Sequence, residues 1–226
     1  MGHPGVTLAA RRPAAVLWDM DGTLVDTEPY WIASEFDLAT RHGGAWTHAH
    51  ALSIVGKDLL DAGRYIRTHM GIPITPEQIV DELLDGVIAR VKQRIPWRPG
   101  ARELLEHLRT AGIPCALVTM SYQRFVAPIL KQLPDDAFRA VVTGDMIEKG
   151  KPHPEPYLTA AAALGVPATD CLAIEDSPTG AASAEAAGCC VLVVPNHVPV
   201  EPGDRRIFRN SLSDVTIDDL AAVTSR

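Results

Sequence analysis

Two pairs of acidic residues stand where short apolar runs of the sequence end. Asp19 and Asp21 belong to the segment Asp-Met-Asp-Gly-Thr, and Glu175 and Asp176 begin the segment Glu-Asp-Ser-Pro. Neighbouring carboxylates repel each other unless a cation or a shared proton relieves the repulsion. Their oxygens suit Mg2+, which proteins usually hold through one or two carboxylates together with waters and a substrate phosphate. The two pairs together predict a divalent-cation site.

Each pair taken alone has a simpler interpretation. An Asp-Gly segment is typical of an exposed turn, and Glu175-Asp176 is also an ordinary polar start for a helix. A calcium-binding loop would need Gly at its sixth position and Glu at its twelfth. Counted from Asp19, those positions hold Leu24 and Tyr30. The calcium loop is excluded, whereas the turn and the cation site both remain open at this point.

Two further segments carry groups that favour phosphate. Thr119, Met120 and Ser121 follow another apolar run, and they offer hydroxyls and backbone N–H groups at the start of a predicted helix. Lys151 stands in Gly-Lys-Pro-His-Pro, where the prolines stiffen the chain ahead of a further helix. A plain helix cap and a solvated surface lysine are the structural alternatives. The two segments together favour a phosphate site.

Five apolar runs are predicted to form the strands that position these residues. Helical segments separate the last four runs, and such alternation is typical of a parallel sheet covered on both faces. Ligands of these sheets bind at the carboxyl ends of the strands, which is where the polar segments fall. The predicted strands cover residues 14–18, 114–119, 140–143, 171–175 and 190–194, and the predicted helices cover residues 102–110, 125–132, 156–164 and 179–187.

A long insertion separates the first predicted strand from the second. Residues 30–94 have apolar residues at helical spacing, and the stretch is far longer than the usual connection in an α/β unit. The Pro-containing segment 96–100 closes the insertion as a rigid joint. We therefore predict an α/β core with an inserted all-helical cap. The expected division is a loose leader at 1–13, a core at 14–28 and 97–226, and a cap at 29–96.

Composition narrows the classes of protein that remain. The 226 residues are 46% hydrophobic and 22% charged, with a formal net charge of −7, which argues against a nucleic-acid partner. No run approaches the roughly 18 apolar residues that span a bilayer, and the first residues do not read as a signal peptide. Four cysteines in or beside apolar runs are predicted to be buried free thiols. We expect a cytoplasmic monomer without a membrane partner.

Taken in order, the four polar segments resemble the haloacid dehalogenase (HAD) superfamily. The matching set is Asp-x-Asp-Gly-Thr, a strand-ending Thr, Lys-Pro-x-Pro and Glu-Asp-Ser, and as an ordered set it is highly specific. The resemblance covers residues 14–28 and 99–194. The position of the insertion is similar to that of the helical-cap subgroup, which contains β-phosphoglucomutase and sugar-phosphate phosphatases. Residues 26–31 resemble the phosphatase branch of that subgroup. The fold that this implies is a Rossmann-like HAD core with a parallel sheet and a helical cap.

The resemblance implies a Mg2+-dependent phosphatase of small phosphate monoesters, such as sugar or polyol phosphates. Asp19 would attack phosphorus and form an aspartyl-phosphate, and covalent catalysis of this kind splits one hard displacement into two easier steps. Asp21 would protonate the leaving alcohol and later deprotonate the attacking water. The metal ligands would be Asp19, the carbonyl of Asp21 and Asp176, with Glu175 beside them.

The same resemblance implies a phosphate cradle and a cap contact. Thr119 and Lys151 would complete the catalytic set by binding the transferring phosphoryl group, with Met120 and Ser121 beside them. The partner would be a small phosphorylated metabolite. From the cap, Lys57 is a candidate to contact a polar or anionic substrate, although helix-surface cations are usually solvated.

Three other functions remain to be weighed against a phosphatase. A phosphomutase would share all four segments, but at the position where β-phosphoglucomutase has a cap-hinge histidine this chain has Trp31, which does not titrate. A metal-independent dehalogenase would leave Asp21, Glu175 and Asp176 without a task. A non-catalytic module that binds a phosphorylated metabolite is the alternative of another class, since fold does not fix function.

Overall fold

A computed structural model describes residues 12–224, so the predicted leader lies almost entirely outside the described part of the chain. Six strands form one sheet in the order β3-β2-β1-β4-β5-β6, and every neighbouring pair is parallel. This confirms the predicted parallel α/β fold. The strands are β1 (Ala15–Trp18), β2 (Cys115–Val118), β3 (Ala140–Val142), β4 (Cys171–Glu175), β5 (Cys190–Val193) and β6 (Arg206–Phe208).

Strand β1 lies in the middle of the sheet, between β2 and β4. Its last residue, Trp18, is level with Leu117 of β2 and with Ile174 of β4. The three strands therefore end together at one edge, and the segments that follow them meet there. All residues of β1, β2 and β4 are buried, as expected for strands that are covered on both faces.

Strand β6 was not predicted. It has only three residues, all half-buried, and it lies at the edge of the sheet beside β5. Its first residue, Arg206, is ion-paired with Glu185 at 2.6 Å rather than packed in the core. A strand this short, with one apolar dipeptide, lacks the run of apolar residues that marks the others in the sequence.

Nine α-helices accompany the sheet within residues 12–224. Five of them lie between β1 and β2, and the first four of these form the insertion. The other helices cover the faces of the sheet. No helix in this part of the chain is both long and apolar enough to cross a membrane. The helices are α1 (Glu28–His42), α2 (His48–Leu52), α3 (Leu59–Met70), α4 (Pro76–Gln93), α5 (Ala101–Thr110), α6 (Gln123–Leu130), α7 (Glu155–Ala163), α8 (Pro178–Ala186) and α9 (Ile217–Thr224).

The inserted helices α1 to α4 have a hydrophobic cluster of their own. Leu38, Trp46, Ile66 and Ile79 belong to it, and all its buried members fall within residues 38–83. Other side chains of α4 belong to a second hydrophobic cluster, which also contains residues of the sheet. Helix α4 therefore packs both on the inserted helices and on the core. The inserted all-helical cap is therefore confirmed as a feature of the fold. The exact limits at 14–28, 29–96 and 97–226 stay a prediction, and α1 already begins at Glu28.

All four cysteines are buried free thiols, as predicted. Cys115, Cys171 and Cys190 lie in β2, β4 and β5, and Cys189 directly precedes β5. Burial raises the pKa of Cys115 and of Cys189 to about 12. These thiols act as small apolar core residues.

Candidate active site

Lys151 joins the ends of three strands at the carboxyl edge of the sheet. Its Nζ donates to Asp19 Oδ1 at 2.7 Å, to Glu175 Oε1 at 2.7 Å and to the carbonyl oxygen of Val118 at 3.0 Å. Burial by itself lowers the pKa of Lys151, but Asp19 and Glu175 outweigh it and the net pKa is raised. The ammonium group is therefore charged at neutral pH and fixed between two carboxylates.

Glu175 is fully buried, and both of its oxygens already have donors. Oε1 accepts from Lys151 and, at 2.6 Å, from the hydroxyl of Tyr157, while Oε2 accepts from the hydroxyl of Ser177 at 3.1 Å. A Cβ on Gly180 would lie 1.8 Å from Oε1, so only glycine fits against this carboxylate. Glu175 is thus well placed to hold Lys151 in position.

Three carboxylates form a group that fits a metal ion. Oxygens of Asp19, Glu175 and Asp176 all lie within 4.8 Å of one another. Asp19 Oδ2 is buried and accepts no hydrogen bond from residues 12–224. A cation beside this oxygen would satisfy it, because a buried carboxylate oxygen without a partner is costly. The donor set is all oxygen, which suits a hard divalent cation.

The crowding of charge in this group shows in its pKa values. Burial, then Glu175, raise the pKa of Asp19 to about 7, although Lys151 partly offsets them. Burial, then Asp19 and Glu175, also raise the pKa of Asp176. Gly22, with a φ of 93°, lets the backbone approach, since a Cβ there would lie 2.0 Å from Asp176 Oδ2.

Asp21 has a separate environment, away from the three-carboxylate group. Its Oδ2 accepts from Ser121 Oγ at 2.7 Å and from Thr119 Oγ1 at 3.3 Å, and its Oδ1 accepts a short hydrogen bond from Thr27. Burial raises its pKa, whereas Thr27, Ser121, Trp31 and Thr119 lower it. The Asp21 carboxylate therefore accepts from three hydroxyl donors, Thr27, Thr119 and Ser121, which fix its position.

A cavity lies between the cap and this edge of the sheet. Seven of the site residues predicted from the sequence line it: Asp19, Asp21, Thr119, Met120, Ser121, Lys151 and Asp176. The eighth predicted residue of the core, Glu175, is fully buried behind Lys151. The loop between α2 and α3 lies over the start of α8, where a Cβ on Gly56 would be 3.6 Å from Thr179 Oγ1. The cap thus forms one wall of the cavity.

Lys57, the cap cation proposed from the sequence, lies at this cavity. Lys57 lines it, with Nζ 5.2 Å from the ring centroid of Tyr65. Arg64 instead makes an exposed ion pair with Asp61 at 2.6 Å. Lys57 therefore remains the cap cation with access to a ligand.

Several residues at the site were missed from the sequence. Glu28 and Glu35 line the cavity from α1, on either side of Trp31, which the sequence had already singled out. Their spacing of three and four residues places them on one helix face, a signal that the sequence already contains. Tyr157 and His197 gave no such signal, because their contacts depend on how distant segments pack.

The site is a cluster of carboxylates linked by a lysine, at the carboxyl edge of a parallel α/β sheet and under a helical cap. This arrangement is typical of an enzyme whose catalytic groups are carboxylates. The sequence comparison assigns the family: haloacid dehalogenase-like hydrolases match residues 13–188. The chain belongs to this family, and the predicted recognition and enzyme class are confirmed.

Two hexitol phosphatases match most of the chain. Hexitol phosphatase B of Escherichia coli (strain K12) is 30% identical over 220 residues, covering 96% of this chain and 96% of that protein. Hexitol phosphatase A of the same strain is 36% identical over 180 residues, covering 79% of this chain and 81% of that protein. The crystal structure of CbbY from Rhodobacter sphaeroides in complex with phosphate has a TM-score of 0.81 at 24% identity, covering 89% of this chain and 96% of that one. That last match supports the fold alone.

Proposed function

We propose that this chain is a Mg2+-dependent phosphatase that hydrolyses sugar or polyol phosphates through an aspartyl-phosphate on Asp19. The observation that carries the proposal is the buried, unpartnered Oδ2 of Asp19, which lies in a cavity between a fixed ammonium group and a second buried carboxylate. The names of the two hexitol phosphatases support the choice of substrate class.

In the first step, Asp19 attacks phosphorus and the bond from phosphorus to the leaving oxygen breaks. Asp21 then gives its proton to that oxygen, which the raised pKa of this buried carboxyl favours. In the second step, Asp21 takes a proton from water, the water oxygen attacks phosphorus, and Asp19 is released as a carboxylate. The hydroxyl donors Thr27, Thr119 and Ser121 would hold the Asp21 carboxyl in one position for both proton transfers.

The metal would be held by Asp19, Asp176 and the carbonyl of Asp21, with Glu175 beside them. When bound, Mg2+ would offset the clustered negative charge and orient the phosphoryl oxygens. Lys151 adds a fixed positive charge next to the nucleophile, and Thr119, Met120 and Ser121 would surround the phosphoryl group. In the structure, the hydroxyls of Thr119 and Ser121 donate hydrogen bonds to Asp21. When phosphate binds, each hydroxyl would either keep this hydrogen bond or donate to the phosphoryl group instead.

Trp31 favours hydrolysis over mutase activity. The indole of Trp31 lies beside the Asp21 carboxylate and lowers its pKa, and an indole N–H does not titrate. Asp21 is therefore held by the hydroxyls of Thr27, Thr119 and Ser121, and no histidine stands at the Trp31 position to delay it. When Asp19 is phosphorylated, Asp21 would already be in position to take a proton from the attacking water.

We expect the enzyme to release phosphate from sorbitol 6-phosphate with Mg2+, to stop in EDTA and to recover when Mg2+, but not Ca2+, is restored. Ca2+ should fail because it prefers looser, higher coordination than an octahedral Mg2+ site. A parallel incubation with β-glucose 1-phosphate and a trace of glucose 1,6-bisphosphate should yield free phosphate as the main product. Full activity in EDTA would refute the metal, and faster accumulation of glucose 6-phosphate would make the protein a mutase.

Replacing Lys151 by Ala should lower kcat about 100-fold or more, because a pre-organised charge beside the reacting group is lost. The exposed neighbour Lys149 offers the matched control, since Lys149→Ala removes a lysine of the same segment outside the cavity. Rates of phosphate release and thermal melting of both variants are the measurements. If a folded Lys151→Ala protein keeps the wild-type rate, Lys151 has only a structural role.

A further inference from the structure

Glu35 is a buried carboxylate at the cap end of the cavity. It is 4% exposed and lies on the same face of α1 as Glu28 and Trp31. Because a helix rises 1.5 Å per residue, Glu35 is roughly 10 Å beyond Glu28 along the helix axis. Trp31 contacts Asp21, so Glu35 lies farther from the reacting groups, where the distant part of a leaving group would sit.

One oxygen of Glu35 is fixed and the other is free. Trp46 Nε1 donates to Oε2 at 2.9 Å, within the buried interior of the cap. Oε1 accepts no hydrogen bond from the described part of the chain, and no lysine or arginine is paired with this carboxylate. Burial raises the pKa of Glu35 to about 7. An apolar residue would cost less here, so the carboxylate is not explained by packing.

The charges around this end of the cavity favour a neutral ligand. Glu35 faces it, and Glu28 lines the cavity from the same helix face, nearer to the reacting groups; burial, then Glu35, raise the pKa of Glu28 to about 7. The cap supplies one cation to the cavity lining, Lys57. Apolar side chains of Ile54 and Leu83 complete the wall. The far end thus offers hydrogen-bond acceptors beside apolar surface, with a surplus of negative charge.

We propose that Glu35 is a specificity-determining residue of the cavity. Its free oxygen accepts a hydrogen bond from a hydroxyl at the far end of a neutral leaving group, and its charge excludes leaving groups that carry a carboxylate or a second phosphate there. The proposal rests on the proposed phosphatase function, and it narrows the substrate to monophosphates of uncharged polyols. Trp46 is the positioning residue that orients the carboxylate.

The test compares three substrates on wild type, Glu35→Gln and Glu35→Met in the presence of Mg2+. Sorbitol 6-phosphate has distal hydroxyls, phosphoglycolate has a carboxylate, and p-nitrophenyl phosphate reports the core chemistry. Asp37→Asn is the matched control, because Asp37 is exposed on the other side of α1 and pairs with Arg90 at 2.6 Å. Melting curves check the fold. Glu35→Gln keeps an oxygen for Trp46 Nε1 and removes a carboxyl whose pKa burial raises, so it should not lower stability above pH 7. Glu35→Met leaves that buried N–H without its acceptor and should lower stability.

We expect wild type to prefer sorbitol 6-phosphate over phosphoglycolate. Glu35→Met should raise KM for sorbitol 6-phosphate about tenfold or more, since a hydrogen bond to a charged group is lost. Glu35→Gln should raise kcat/KM for phosphoglycolate, because the repulsion is gone. Asp37→Asn should keep the wild-type kcat on p-nitrophenyl phosphate.

The ratio of kcat/KM for sorbitol 6-phosphate to kcat/KM for phosphoglycolate decides the role of Glu35. If both Glu35 variants keep the wild-type ratio, the role of Glu35 is overturned while the proposed phosphatase function stands. A wild-type preference for phosphoglycolate would overturn that role as well. Absence of phosphate release by wild type from all three substrates would instead refute the proposed function, and the role of Glu35 with it. These outcomes are distinguishable because p-nitrophenyl phosphate does not depend on distal hydroxyls.

Discussion

Asp19→Asn is expected to reduce phosphate release at least about 10⁴-fold, the largest effect among the substitutions considered. The amide cannot attack phosphorus, and Glu175, the other carboxylate on Lys151, is fully buried and does not line the cavity. The variant should fold, because it removes one negative charge from a buried cluster of carboxylates. The charge of Asp19 is already unfavourable there, since burial and Glu175 raise its pKa.

The measurement is steady-state phosphate release with saturating Mg2+, together with a melting curve. Asp135→Asn is a suitable control, since Asp135 is an exposed carboxylate in the segment between α6 and β3. In a quenched reaction, wild type should show a phosphoryl group on the protein by mass spectrometry, and Asp19→Asn should show none. Turnover by Asp19→Asn above a trace, or a phosphoryl group located on another residue, would refute the assignment of the nucleophile.

Asp21→Asn is expected to lower kcat by about 10²- to 10⁴-fold, because the amide neither gives a proton to the leaving oxygen nor takes one from water. The side chain should stay in place, since its remaining oxygen can still accept from Ser121 and its NH2 group can donate to the hydroxyl oxygen of Thr27. With p-nitrophenyl phosphate, whose leaving group needs little protonation, the first step should suffer less than the second. The phosphorylated protein should then accumulate.

Rapid quenching followed by intact-protein mass spectrometry distinguishes the two steps for Asp21→Asn. The expected result is a burst of p-nitrophenol, a slow steady state and a long-lived phosphorylated protein. Asp135→Asn serves again as the control, with wild-type kinetics. Wild-type turnover by Asp21→Asn on sorbitol 6-phosphate would contradict the acid and base roles of Asp21.

The arrangement of the site along the chain was determined by the sequence itself. Asp19, Thr119 and Asp176 each come directly after a buried strand, and parallel strands bring their carboxyl ends to one edge. A residue's position just past a strand end depends only on where that strand stops, which local apolar runs reveal. Lys151, outside any strand, was found from its proline-rich segment and from the family resemblance.

Contacts between distant segments were decided by the tertiary structure. The hydroxyls of Thr119 and Ser121 approach Asp21 across separations of 98 and 100 residues, and they bind this carboxylate in addition to facing the cavity. Tyr157 meets Glu175 from α7, and Trp46 orients Glu35 inside the cap. Such pairs depend on the relative position of packed elements to within an ångström, whereas apolar periodicity shows only which face of an element is buried. The sequence therefore determined which groups reach the edge of the sheet, and packing alone decided which of them hold one another and which face the substrate.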